Sequence, residues 1–212
     1  MPNILAVIFD MDGVLIDARQ WHFKALKFAL AEHGFELDDD YHEAMLDGLP
    51  TKDKLEILKK EFGLKQSLFG SIDRHKQKIT IELAKQLCRP EQDKKDLLTF
   101  LQNCGLRLGL CSNAKQSSID LFMKLADLSS YFDFMLSCEN VPHPKPSPDI
   151  YIRGMEILGS KPENTLIVED SDFGYDAAVK SGAHVLRVSG PDDVNIDFLT
   201  QRYTNLKTSI KL

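Results

Sequence analysis

The chain has 212 residues, of which 43% are hydrophobic and 27% charged, and a formal net charge of −6. That is the composition of a globular chain with room for one large domain, or a medium domain and a small one. The acidic balance offers no concentrated basic face, so no nucleic-acid partner is expected. No apolar run is long enough to span a bilayer, so no membrane partner is expected either. A small phosphorylated molecule needs only one or two local cations and stays among the allowed ligands.

The four cysteines, Cys88, Cys104, Cys111 and Cys138, form no CxxC pair and no zinc-ligand spacing with histidine. The start MPNILAVIFDMD lacks a basic lead and puts acids where a secretory leader would be apolar. Both observations point to a cytoplasmic protein with free thiols. Nothing in the chain demands more than a monomer.

The first element is the unbroken apolar run Ile4–Phe9, ending at Asp10. Such a run reads as a strand buried on both faces, as in a parallel sheet. Four similar runs follow: 106–111, 132–136, 165–168 and 184–188, each leading into polar residues. Helical spacing lies between them, through Leu97, Leu98 and Leu101, through Ile119, Phe122 and Leu125, through Ile150, Met155 and Leu158, and through Ala177 and Ala178. Strand then helix, repeated, predicts a doubly wound α/β domain with a parallel, Rossmann-like sheet. Ligands of such sheets bind beyond the carboxyl ends of the strands, where these polar residues cluster.

The stretch from 18 to 89 breaks the alternation. Phe23, Leu26 and Leu30, then Leu55, Leu58 and Phe62, then Ile81, Ala84 and Leu87 all recur at helical spacing, with no strand-like run. The expected organisation is an α/β core of residues 1–17 and 90–212 with a helical domain, 18–89, inserted after the first strand.

Four groups of residues carry chemistry. Asp10-Met11-Asp12-Gly13 places two carboxylates where a strand has just ended, and glycine permits a tight turn there. Glu169-Asp170 ends a second strand, and carboxylates from two strand ends make a hard-oxygen site suited to Mg²⁺. Ser112-Asn113 ends a third, with a hydroxyl and an amide able to hold phosphoryl oxygens. Lys145 stands one residue from a proline on either side, which stiffens its backbone and aims its cation. A carboxylate nucleophile, a second carboxylate, phosphate donors, a fixed cation and a metal site together ask for phosphoryl transfer.

The segments FDMDGVLID (9–17), CSN (111–113), KPSPDIY (145–151) and VEDSDFGYDAAVKSGA (168–183) together resemble the haloacid dehalogenase superfamily. Within it they resemble the branch of β-phosphoglucomutase and phosphoglycolate-type phosphatases, whose α-helical cap sits where the helical insert sits here. The resemblance implies Asp10 as nucleophile and Asp12 as general acid and base. It implies Mg²⁺ held by Asp10, Asp170 and the backbone carbonyl of Asp12, with Glu169 helping directly or through water. Ser112 and Asn113 would bind the transferring phosphoryl group, and Lys145 would neutralise charge.

In the cap, His22 and the loop containing Gly48 and Lys52 would meet the substrate, a small phosphorylated metabolite. Mutases of this branch carry a lysine before that glycine and an arginine three residues after it. Asp47 and Thr51 stand there instead. The resemblance therefore implies a phosphatase working through an aspartyl-phosphate, and leaves open a phosphosugar mutase or a non-catalytic phosphate-binding protein.

Overall fold

A computed structural model describes residues 3–202. The chain separates into two compact units, one of Met1–Asp17 and Arg89–Leu212, the other of Ala18–Cys88. Residues 1–2 and 203–212 of the expected core lie outside the described residues.

The first unit is built on five strands: β1 (Ala6–Phe9), β2 (Arg107–Cys111), β3 (Phe134–Leu136), β4 (Thr165–Glu169) and β5 (His184–Arg187). They form one sheet in the order β3-β2-β1-β4-β5, and every pairing is parallel. Each of the five apolar runs thus became a strand. The first starts two residues later than its apolar run, at Ala6, and Leu5 stays half exposed. All four residues of β1 are buried, as a central strand covered on both faces requires.

Side chains alternate across the sheet. Ala6 and Ile8 of β1 join Ile167, Cys111 and residues of α7 (Asp149–Leu158) and α8 (Asp172–Lys180) in one apolar cluster. Helices α5 (Gln92–Asn103), α6 (Gln116–Leu125) and α9 (Ile196–Arg202) bury Leu97, Leu98, Leu101, Ile119, Phe122 and Leu199. The carboxyl ends of β1, β2 and β4 come side by side, because Phe9 pairs with both Leu110 and Val168. That register brings three polar sequence motifs to one edge.

The second unit holds α1 (Arg19–Ala31), α2 (Asp39–Met45), α3 (Thr51–Phe62) and α4 (Phe69–Leu87). Its core is Leu26, Ala29, Leu30, Leu46, Leu55, Leu58 and Ile72, with Phe23 and Tyr41 packed against it. Asp38 caps α2 by accepting from the Tyr41 amide at 2.8 Å. Two residues of the helical pattern, Phe62 and Leu87, end up more than half exposed. Phe62 stacks edge-on against Phe35 and Tyr41 instead of entering the core. Among the described residues no helix is long and apolar enough to cross a membrane.

Candidate active site

Asp10 follows β1 directly, and its amide continues the ladder to the Val168 carbonyl at 3.0 Å. Its side chain is buried. Gly13, at φ 83°, then turns the chain, and its amide donates forward to the Ile16 carbonyl at 2.7 Å. The turn keeps Asp12 near enough for its charge to act on Asp10.

Lys145 is the centre of the arrangement. It is 2% exposed, and its ammonium donates to Asp10 Oδ1 at 2.6 Å, Glu169 Oε1 at 2.6 Å and the Cys111 carbonyl at 2.9 Å. An ammonium has three protons, so these three acceptors satisfy it. Burial alone would lower the Lys145 pKa. The Asp10 and Glu169 carboxylates outweigh it and hold the pKa above the ordinary lysine value. Lys145 is a fixed positive charge.

Burial pushes the Asp10 carboxyl well above its ordinary range; Lys145 opposes the shift, while Glu169, Asp170 and Asp12 add to it. Lys145 meets two of the carboxylates, and the charges of Asp170 and Asp12 also act on Asp10, so negative charge is concentrated at this strand edge as a site for a further cation requires. Asp10, Glu169 and Asp170, all buried, each bring an oxygen within 4.8 Å of the others. Carboxylate oxygens at that spacing are hard donors that fit a divalent ion.

Ser112 follows β2, and its amide donates to the Leu136 carbonyl at 3.0 Å. Its buried hydroxyl oxygen accepts from the Ala114 amide at 3.0 Å and keeps its own proton to give. Asn113 is used differently. Its carboxamide oxygen accepts from the Lys145 amide at 3.0 Å, and its carboxamide nitrogen donates to the Lys145 carbonyl at 3.1 Å. The side chain thus pairs with a backbone 32 residues away as a neighbouring strand would. It anchors the loop on which Lys145 rides, ahead of a cis Lys145–Pro146 bond.

A family model described as haloacid dehalogenase-like hydrolase matches residues 7–188. The chain belongs to that family. A phosphorylated carbohydrates phosphatase of Thermotoga maritima is 31% identical over 180 residues, 84% of this chain and 81% of that protein. The β-phosphoglucomutase of Bacillus subtilis is 26% identical over 210 residues, 95% of this chain and 91% of that protein. The crystal structure of a β-phosphoglucomutase from Clostridium difficile superposes with a TM-score of 0.80 at 21% identity, covering 97% of this chain and 99% of that one. At that identity the superposition speaks for the fold alone. Proteins named as a phosphatase and as a mutase are thus both among the relatives of this hydrolase-family chain.

Of the residues singled out in the sequence, this hydrolase brings Asp10, Asp12, Ser112, Asn113, Lys145, Glu169 and Asp170 to one sheet edge. The other three lie in the helical unit. His22 is on α1, with its Nδ1 3.4 Å from the Lys76 ammonium. Gly48 is in the loop after α2 at φ 75°. Lys52 is exposed in the first turn of α3. His75 Nδ1 lies 2.6 Å from the Glu32 carboxylate.

Sequence reasoning gave no role to Tyr151. It is fully buried, donates its hydroxyl to Glu169 Oε1 at 2.9 Å, and sets its ring 4.7 Å from the Lys145 ammonium. Burial, then the Glu169 and Asp10 charges, raise its pKa well above the ordinary value, so the hydroxyl keeps its proton. The signal for it was a polar-tipped aromatic among Ile150, Met155 and Leu158 on an apolar helix face, a place where buried tyrosines need a partner.

Proposed function

We propose that this hydrolase is a Mg²⁺-dependent phosphatase acting on a small phosphorylated metabolite, a sugar phosphate or similar monoester, through an aspartyl-phosphate. The observation that carries the reading is the buried Asp10–Lys145–Glu169 arrangement, with Asp170 close enough to share a cation. Asp10, Asp170 and the backbone carbonyl of Asp12 would hold Mg²⁺, with Glu169 helping directly or through water. The ion would supply charge neutralisation of the phosphoryl oxygens.

The chain's own residues do the rest. An Asp10 carboxylate oxygen forms a bond to phosphorus as the ester P–O bond breaks, and the leaving oxygen takes a proton from Asp12. Asp12, now ionised, accepts a proton from water. That oxygen attacks phosphorus, the Asp10–phosphorus bond breaks, and phosphate leaves. Lys145 offsets the charge that Asp10 and the phosphoryl group bring together. Ser112 donates to a phosphoryl oxygen, and Asn113 keeps the Lys145 loop against it.

The helical unit, residues 18–89, is proposed as a cap that selects the substrate through His22, Gly48 and Lys52. The relative named for phosphorylated carbohydrates supports a sugar phosphate. The free thiols of all four cysteines support a reducing, cytoplasmic setting. The long match to a β-phosphoglucomutase keeps a mutase as the second reading. Against it stand Asp47 and Thr51, because an acid facing a second phosphate repels it.

The test is phosphate release from sugar phosphates, phosphoglycolate, nucleotides and p-nitrophenyl phosphate, with Mg²⁺ and with EDTA, by the native chain and Asp10→Asn. Release that needs both Mg²⁺ and Asp10 supports the reading. Release that persists in Asp10→Asn overturns it. Interconversion of glucose 1- and 6-phosphate without release replaces it with the mutase.

A further inference from the structure

We propose that Glu169 serves Lys145 rather than the metal, and that Tyr151 is the positioning residue that keeps it there. This divides the labour among the acids and rests on the Mg²⁺-dependent reading above.

The first argument is the donor count on Glu169. Its Oε1 accepts from the Lys145 ammonium at 2.6 Å and the Tyr151 hydroxyl at 2.9 Å. Its Oε2 accepts from the Asp170 amide at 2.9 Å, the Ser171 amide at 3.1 Å and the Ser171 hydroxyl at 3.2 Å. A carboxylate has about four lone-pair positions, so five donors saturate it. An ion bound directly to Glu169 would have to displace donors that are already in place. Two of these are backbone amides beside a side chain with no solvent exposure, and a buried amide stripped of its acceptor is costly.

The second argument is space. A Cβ on Gly174 would stand 1.8 Å from Glu169 Oε1, 2.1 Å from Cδ and 2.3 Å from Oε2. The first turn of α8 therefore forms a wall directly against the carboxylate. The group is held on one side by that wall and on the other by Tyr151. Ser171 holds the wall itself, since its hydroxyl also accepts from the Gly174 amide at 3.1 Å and caps α8.

The third argument is that Tyr151 meets both partners of the ion pair. Its hydroxyl donates to the Glu169 oxygen that takes Lys145, and its ring faces the ammonium. A phenylalanine would keep the ring and lose the proton that fixes the carboxylate. Direct metal contact then falls to Asp10, Asp170 and the Asp12 carbonyl.

The experiment has two readouts. Calorimetry of Mg²⁺ binding to the metal-free protein compares the native chain with Glu169→Gln, Tyr151→Phe and Asp170→Asn, each first shown to melt cooperatively. Kinetics then places Tyr151→Phe in native and Lys145→Met backgrounds. The expected result is Mg²⁺ affinity within about 3-fold of native for Glu169→Gln and Tyr151→Phe, and at least about 10-fold weaker for Asp170→Asn.

Tyr151→Phe is expected to lower kcat about 10-fold with little change in KM. That penalty should vanish in the Lys145→Met background, as a coupled pair requires and a merely structural role does not. Mg²⁺ binding by the native chain that is lost in Glu169→Gln overturns the inference alone. So does a Tyr151→Phe penalty that persists without Lys145. Absence of Mg²⁺ binding in the native chain overturns both this division of labour and the reading it rests on.

Discussion

Two regions of the core bury a lysine almost completely, and they treat it in opposite ways. At the carboxyl edge of the sheet, Lys145 meets two carboxylates and one carbonyl. Where α5 meets the turn at Pro191–Asp193, Lys94 is 3% exposed and donates to the carbonyls of Pro191 and Val194. Burial drags the Lys94 pKa below its ordinary value against the weaker pull of Glu91, Asp192 and Asp93. The same burial is outweighed at Lys145, whose pKa rises. Whole charges opposite the ammonium make a reactive centre. Backbone dipoles opposite it make a strap that ties one segment to another.

The largest expected effects separate the two members of the ion pair. Lys145→Met should lower kcat/KM by about 10³-fold, since it removes a preorganised charge at the reacting group. It should also destabilise the fold by about 3–5 kcal/mol, because Asp10 and Glu169 lose the ammonium they share in a buried site. Asp10→Asn should abolish turnover with the opposite effect on stability in EDTA. The folded-state pKa of Asp10 is raised, so above its unfolded pKa the ionised group costs the native state free energy. Removing that charge should raise the midpoint of thermal unfolding at pH 7 by a few degrees, about 2–4 °C per kcal/mol for a chain of this size. Phosphate release and a thermal melt on the two variants check both signs. A melt of Asp10→Asn below native would break the contrast.

Lys94→Met is the control from the other region. It leaves one buried and one part-buried carbonyl without their donor and should cost about 2–3 kcal/mol of stability. Neither kcat nor KM should move at a temperature where the variant is folded. A denaturant titration beside steady-state kinetics measures this, and a large fall in kcat would show that the strap feeds the active site after all.

The two lysines also show what a sequence makes legible. Lys145 stood out because prolines flank it and acids end the neighbouring strands. The central strands β1, β2 and β4 stood out because buried parallel strands are apolar without alternation, a pattern few other elements share. Lys94 was invisible: its partners are backbone carbonyls about a hundred residues away, and no residue type advertises a carbonyl. The same holds for the Asn113 carboxamide, legible as polar at a strand end but not as a partner of the Lys145 backbone. Tyr151 was masked by its apolar neighbours on α7. Phe62 and Leu87 fit the helical period yet face solvent, because period places a residue on a face without saying how far the face is covered.

The helical unit supplies a buried base of another kind and sharpens the rule. His42 is 4% exposed, lies against the Phe23 ring at 4.5 Å, and has its Nε2 3.3 Å from the Lys54 ammonium. Its partner is a cation, so burial and Lys54 act in the same direction and bring its pKa down to about 4. The neutral ring accepts from Lys54 and carries its own proton on Nδ1. The unfolded chain takes up a proton near pH 6.5 that the folded chain refuses until about pH 4. Stability therefore falls as pH drops through that window, by on the order of 1–2 kcal/mol between pH 7 and pH 5. His42→Gln keeps an acceptor toward Lys54 and cannot titrate, so its stability should be flatter over the same range. Thermal melts of the two proteins at half-unit pH steps measure the difference in slope. Equal slopes would mean that the fold leaves the His42 pKa at its unfolded value, and that burial and a neighbouring cation do not lower it.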